Sequence, residues 1–343
     1  MPNQALTARA RDVDIMTRPS PTLDLEPGIK LSVLIPPTPT DDDLQFVRQL
    51  GVHHVYTWVE DDQRDYEYLA TLRQQVEAAG LTLFNAGNIS LGKSANIHLA
   101  LPDRDRDIDQ FARLIRNLGR AGIFTTTFTW EPDQVWSTQN EPTRGGAAAR
   151  AVDMAVLDKR PPTHGRTFST DEIWDNFTYF IRRIIPVAEE VGVRLALHPN
   201  DPPVPAVAGV PCLIHSFADY ERAFEIGDSD YLGMEFCTGC WLEGGDQFGN
   251  MLEAIRYFAR RGKIFIAHFR NVSAPLPHFV ETFVDGGYMD MPLAMKAFIE
   301  ADYRGTMILD HTPRFTPAAG PAAGTAYAIG YMKALLERAK TPV

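Results

Sequence analysis

The sequence predicts an α/β fold, a single (β/α)8 TIM barrel with a lid-like insertion, and three observations carry that expectation. Apolar runs of strand length alternate with amphipathic helical stretches along most of the chain. Glycines close the early helical stretches. Four successive apolar runs in the second half stop on a residue able to bind a metal: Arg194–Leu197 on His198, Tyr231–Phe236 on Cys237, Lys263–Ala267 on His268 and Gly305–Leu309 on Asp310. In a parallel barrel all strand C-termini open on one face, where such folds carry their chemistry.

The alternation starts near Ile29. Leu31–Ile35 reads as a strand, Asp41–Leu50 as a helix with an acidic start, Val52–Val59 as a strand, Asp65–Ala79 as a helix and Leu81–Ala86 as a strand. Gly51 and Gly80 follow the two helices at the position where a left-handed residue ends a helix. Asp105–Leu118 is the next helix and Ile123–Phe128 the fourth strand. Ser169, Thr170 and Glu172 open a long helix, apolar at Phe177, Phe180, Ile181, Ile184, Ile185 and Ala188, that Gly192 stops. The strand ending at His198 follows, then helix 217–226, strand 231–236, helix 247–261, strand 263–267, helix 291–301, strand 305–309 and helix 325–339. Helices between strands imply right-handed crossovers and a parallel sheet.

Two stretches stand apart. Residues 1–28 lack a hydrophobic period and read as a flexible N-terminal arm or a segment that packs on a neighbouring subunit, so a homo-oligomer is expected. Residues 130–169 interrupt the 29–340 barrel with a length typical of a lid or binding element, the plainer alternative being a helical surface insertion.

A chain of 343 residues, 45% hydrophobic and 22% charged, accommodates one such barrel with an arm and an insertion. A net charge of −11 argues against a nucleic-acid partner, because phosphate binding leans on excess Lys and Arg. No apolar run approaches the ~18 residues of a membrane helix and no signal-peptide core is present, so a cytoplasmic protein without a membrane partner is expected. Cys212, Cys237 and Cys240 are too few for a disulfide framework.

A single strand-end histidine is more often a satisfied polar residue than a ligand, and a single cysteine more often a small buried hydrophobe. Convergence changes that balance. His198, Cys237, His268 and Asp310 on four adjacent strand ends can hold Zn²⁺, or with an open position Mn²⁺, Fe²⁺ or Co²⁺ as a Lewis acid. Cys237-Thr238-Gly239-Cys240 also fits C-x-x-C. Redox motifs of that kind start a helix, whereas Gly244 and Gly245 suggest a helix that begins late here.

His-Pro-Asn-Asp-Pro-Pro at 198–203, Cys-Thr-Gly at 237–239, Ala-His-Phe-Arg-Asn at 267–271, Phe279…Glu281…Gly287…Met289-Asp290-Met291, Asp310-His311 and Tyr327-Ala328-Ile329-Gly330 resemble, in matching order, the D-mannonate dehydratase family. The likeness is good over residues 176–335 and weaker before. It implies a metal-dependent barrel acting on a sugar acid, usually with Mn²⁺, its ligands corresponding to His198, Cys237, His268 and Asp310, with acid–base roles for His311 and Tyr327. Substrate-facing stretches depart from the pattern. Family members tend to read Arg-Pro-Asp-His-Gly-His around the fourth ligand, whereas this chain reads Ile308-Leu309-Asp310-His311-Thr312-Pro313-Arg314.

Arg270, two residues past His268, is a candidate partner for the substrate carboxylate through its planar fork, an exposed structural arginine being the alternative. Trp58, Trp130 and Trp241 could stack on a sugar face or pack in the core. Dehydration needs a base for the proton α to the carboxylate, an acid for the departing hydroxyl and a metal for the developing charge. An isomerase or epimerase would use the same parts without elimination, and a non-catalytic sugar-acid or metal-binding protein would use only the scaffold.

Overall fold

Each of the eight apolar runs becomes a strand of one parallel sheet: β1 (Lys30–Leu34), β2 (His54–Trp58), β3 (Thr82–Gly87), β4 (Thr125–Thr129), β5 (Arg194–His198), β6 (Leu232–Cys237), β7 (Ile264–His268) and β8 (Thr306–Ile308). The computed structural model describes residues 25–340, so the expected arm at 1–28 lies outside the described residues apart from its end. Hydrogen-bonded neighbours run β3-β2-β1-β8-β7-β6-β5-β4, which wraps the sheet around until β3 and β4 face each other. No ladder joins those two among the described residues, and the barrel is nearly closed. Both faces of β5, β6 and β7 are covered, which is why these strands read as near-continuous apolar runs instead of alternating ones.

The helices return outside the barrel as α1 (Asp41–Gln49), α2 (Tyr66–Ala78), α3 (Arg104–Ala121), α4 (Thr170–Val191), α5 (Phe217–Gly227), α6 (Met251–Arg260), α7 (Met291–Glu300) and α8 (Ala323–Lys340). None of them is long and apolar enough to cross a membrane. Ser169 caps α4 by accepting the Glu172 amide at 3.1 Å, and Gly192 ends it at φ 71°. The apolar stripe of α4 packs on α3 and β4, where Phe180 meets Phe111, Phe128 and Trp130 with ring centroids 5.5–5.6 Å apart. The start of α6 is later than the sequence suggests. A short helix, Thr238–Gly244, follows β6 at once, and a turn through Gly249, at φ 120°, delays α6 to Met251.

Residues 130–169 contain little helix. Glu141–Pro142 pairs with Ala148–Ala149 in a small hairpin, and Ala151–Asp153 pairs with His278–Thr282, which also pairs with Asn271–Val272. The insertion is therefore stitched into the loop after β7, on the side where the strands end.

Phe180 is fully buried and shares its site with three other rings, so its truncation leaves a cavity that the barrel wall cannot fill. Phe180→Ala is expected to cost about 3–5 kcal/mol. Denaturant unfolding of the two proteins, compared by midpoint at unchanged slope, measures it.

Candidate active site at the barrel mouth

His198, Cys237 and His268 are the last residues of β5, β6 and β7, and the parallel register puts Cys237 opposite His268. Asp310 lies two residues beyond β8. Its chain leaves the ladder after Ile308, whose carbonyl accepts the Phe269 amide at 2.8 Å, and turns through a left-handed Asp310 at φ 59°. Ligand-type atoms of Cys237, His268 and Asp310 all lie within 4.8 Å of one another, as do those of His198, Cys237 and Cys240. The His198 and His268 rings are 5.0 Å apart. A single ion with bonds of about 2.0–2.3 Å spans such separations.

Arg270 lies behind this cluster, fully buried. Its Nε donates to Asp310 Oδ2 at 2.9 Å and its Nη1 to Glu243 Oε1 at 2.6 Å, while Nη2 donates to Asp201 Oδ2 at 3.2 Å. Glu281 Oε1 is 3.2 Å from Nη1. Gly239 makes room for the guanidinium, which a Cβ there would overlap. Every edge of the fork is committed within the protein, so of the two readings open for Arg270 the geometry favours the structural one, with the side chain buried instead of exposed. Arg150 of the insertion joins the same network, 2.5 Å from Asp201 Oδ1 and 3.1 Å from Glu281 Oε1.

His311 is partly exposed at the mouth, with Nδ1 2.8 Å from Glu281 Oε1 and Nε2 3.5 Å from Asp310 Oδ1. Tyr327 occupies a different corner. Its hydroxyl accepts from Arg144 Nη2 at 3.1 Å, and its ring lies against Phe283 and Phe315. Arg144, on the hairpin tip of the insertion, also forms a two-pronged pair with Asp285 at 2.7 and 3.2 Å. The structure thus brings Cys237, His268, Asp310 and His311 to one carboxylate network, places His198 beside Cys237 and His268, and links Tyr327 to the insertion.

Acidic groups outnumber guanidiniums in this network: burial and Asp201 push Glu243 well above the usual carboxylate range, and the remaining carboxylates favour protonated histidines. Burial works against a charged His268, but Asp310 and Glu235 outweigh it and lift its pKa well above the usual range. Asp310, opposed by burial and aided by Glu281, raises His311 to about 9. Burial pushes the Cys237 thiol up, yet the Cys240 contact, Arg270 and both histidines hold it well below the usual thiol range. Three buried polar atoms of this network make no hydrogen bond: Arg150 Nε, Glu243 Oε2 and His268 Nδ1, the last lying 3.3 Å from Asp310 Oδ2. A soft thiolate, imidazoles and a carboxylate around an orphaned ring nitrogen in an electronegative pocket fit a divalent cation.

Several participants escaped the sequence reading. Glu235, two residues before Cys237, points to the same interior face by strand alternation and accepts from His268, a signal that was available. Asp201 and Glu281 lie inside the recognised motifs but carry no sign of their shared arginine, and Arg150 sits in the insertion without any local pattern. Trp130 and Trp241 are core residues, packed on His98 and Phe236 at 4.2 and 5.0 Å. The C-x-x-C pair does start a helix, against expectation, because Gly244 and Gly245 end the short Thr238–Gly244 helix instead of preceding one.

Comparison with known proteins agrees with this geometry. The family model for D-mannonate dehydratase (UxuA) matches residues 40–163 and 157–341. The mannonate dehydratase of Thermotoga maritima is 32% identical over 287 residues, covering 72% of this chain and 77% of its own. Mannonate dehydratase 2 of Halalkalibacterium halodurans is 28% identical over 273 residues, covering 71% and 78%. The crystal structure of mannonate dehydratase from Streptococcus suis serotype 2 superposes with a TM-score of 0.81 at 27% identity, over 93% of this chain and 97% of that one. A xylose isomerase domain protein from Planctomyces limnophilus, at 15% identity and TM-score 0.62 over 91% and 98%, shares the fold.

The raised pKa of His311 has a consequence for the metal-free protein. A histidine whose folded pKa exceeds its unfolded value of ~6.5 stabilises fully below that value and progressively less as pH rises through the folded pKa. The stability gap between wild type and His311→Gln, both stripped of metal, is expected to be largest below about pH 6.5 and to close as pH passes about 9. Unfolding midpoints across that range, read at constant ionic strength, test it.

Proposed function

The chain belongs to the D-mannonate dehydratase family, and on that premise we propose that this sugar-acid hydro-lyase dehydrates D-mannonate or a closely related aldonate to a 2-keto-3-deoxy acid. The observation that supports the metal-dependent form of this reading is the convergence of Cys237, His268 and Asp310 ligand atoms within 4.8 Å of one another, with His268 Nδ1 buried and making no hydrogen bond. His198, Cys237, His268 and Asp310 would hold the ion, Mn²⁺ being the first choice ahead of Fe²⁺, Co²⁺ and Zn²⁺. When bound, it supplies Lewis-acid stabilisation of the negative charge that develops as the proton α to the carboxylate leaves.

His311 and Tyr327 move the protons in this scheme. One accepts the α proton and the other protonates the departing hydroxyl. Glu281 occupies His311 Nδ1, so Nε2, 3.5 Å from Asp310 Oδ1, is the atom for transfer. Tyr327 is half-exposed and its oxygen already accepts from Arg144, so a phenolate formed there would keep a cationic hydrogen-bond donor. Arg270 keeps Asp310 in place while its own donors stay within the protein.

Product analysis over a panel of aldonates tests the reaction. A 2-keto-3-deoxy acid formed only by metal-loaded protein is the expected result, and formation of an epimer or isomer would overturn it. Cys237→Ser and Asp310→Asn are expected to lose much of the bound metal, and Cys240→Ser to keep it. His311→Asn and Tyr327→Phe are each expected to lower kcat by about 10²–10⁴-fold with metal content near that of wild type. Turnover like that of wild type in both would end the proton-transfer assignment.

A further inference from the structure

Glu235 is a buried carboxylate that the proton-transfer scheme leaves unused. It lies on β6 two residues before Cys237, and strand alternation sends both side chains into the barrel. Its Oε1 is 2.7 Å from His268 Nε2 on β7, and its Oε2 accepts from the Thr127 hydroxyl of β4. The same hydroxyl is 3.1 Å from the Ala196 carbonyl of β5. Contacts thus cross four adjacent strands and end on one imidazole.

An imidazole has two nitrogens, and the use of one dictates what the other offers. With Nε2–H donating to Glu235, the neutral ring carries its lone pair on Nδ1, the buried atom that has no hydrogen bond and lies 3.3 Å from Asp310 Oδ2. Without an acceptor at Nε2, the ring could rotate or take its proton on Nδ1, and an Nδ1–H would bond Asp310 and remove both groups from coordination. A carboxylate on the far nitrogen also makes an imidazole a stronger donor toward a cation.

We propose that Glu235 is a positioning residue for the metal centre, holding the His268 ring so that Nδ1 is offered to the ion, with Thr127 holding Glu235 in turn. This rests on the metal reading above, and the experiment separates the two. Full-length protein is stripped with a chelator and titrated with Mn²⁺ in competition with an indicator chelator, and separately with Co²⁺, whose visible spectrum reports its ligands. Thermal unfolding of each metal-free variant serves as the control for folding.

Wild type is expected to bind one ion. Glu235→Gln, whose carbonyl can still accept from Nε2 but carries no charge, should keep the Co²⁺ spectrum and bind more weakly. Glu235→Ala should bind about 10–100-fold more weakly, the range found when outer partners of ligating histidines are removed, and should show an altered Co²⁺ spectrum at saturation. Thr127→Val should give a smaller loss in the same direction. Wild-type affinity and spectrum in both Glu235 variants would overturn the positioning role while leaving the metal site intact. A changed Co²⁺ spectrum in Glu235→Gln would make Glu235 a ligand and overturn it as well. Wild type that binds no ion would overturn the metal reading itself.

Discussion

One guanidinium, buried to its last atom, organises the mouth of the barrel. A charge withdrawn from water costs several kcal/mol unless its partners fully replace the solvent. Arg270 meets that demand with four carboxylates: Asp201 from the loop after β5, Glu243 from the short helix after β6, Glu281 from the loop after β7, and Asp310 from the loop after β8. Consecutive loops are thereby drawn to a common point, directly behind the strand-end residues. Through Asp310 the arginine steadies the cluster, and through Glu281 it steadies His311.

Much of this was legible in the sequence. The barrel could be read because apolar period and glycine stops are local signals, and β5, β6 and β7 end where the ligand-type residues appear. Asp310 was found by the same grammar although β8 stops two residues short of it, since the chain turns sharply at that point instead of continuing the strand. The arginine was left open between substrate and structure for a physical reason. Sequence locates a Cα, but the end of a long side chain is chosen by charges that other loops bring, and those loops are up to 69 residues away from it. The insertion was opaque for a related reason: its strand at Ala151–Asp153 pairs with His278–Thr282, and no local periodicity announces so distant a partner.

That pairing also affects the departures from the family pattern after His311. The Arg314 amide donates to the Ala148 carbonyl at 2.9 Å, so the altered Thr312-Pro313-Arg314 stretch is joined to the insertion by backbone. Arg144, on the tip of the same hairpin, reaches Asp285 and Tyr327. The insertion is therefore tied along one seam to the loops after β7 and β8 and to Tyr327.

Gly239 gives the network a further property. Any side chain at that position would overlap the guanidinium, so Arg270 can occupy its place only while residue 239 has none. Conversely, a barrel without the arginine would leave a void above the glycine and four acidic groups facing one another across it. The dependence runs from the arginine to the glycine: the guanidinium can sit there only while residue 239 has no side chain. A side chain at 239 would therefore act at a distance, displacing the guanidinium and with it the point where the four loops meet.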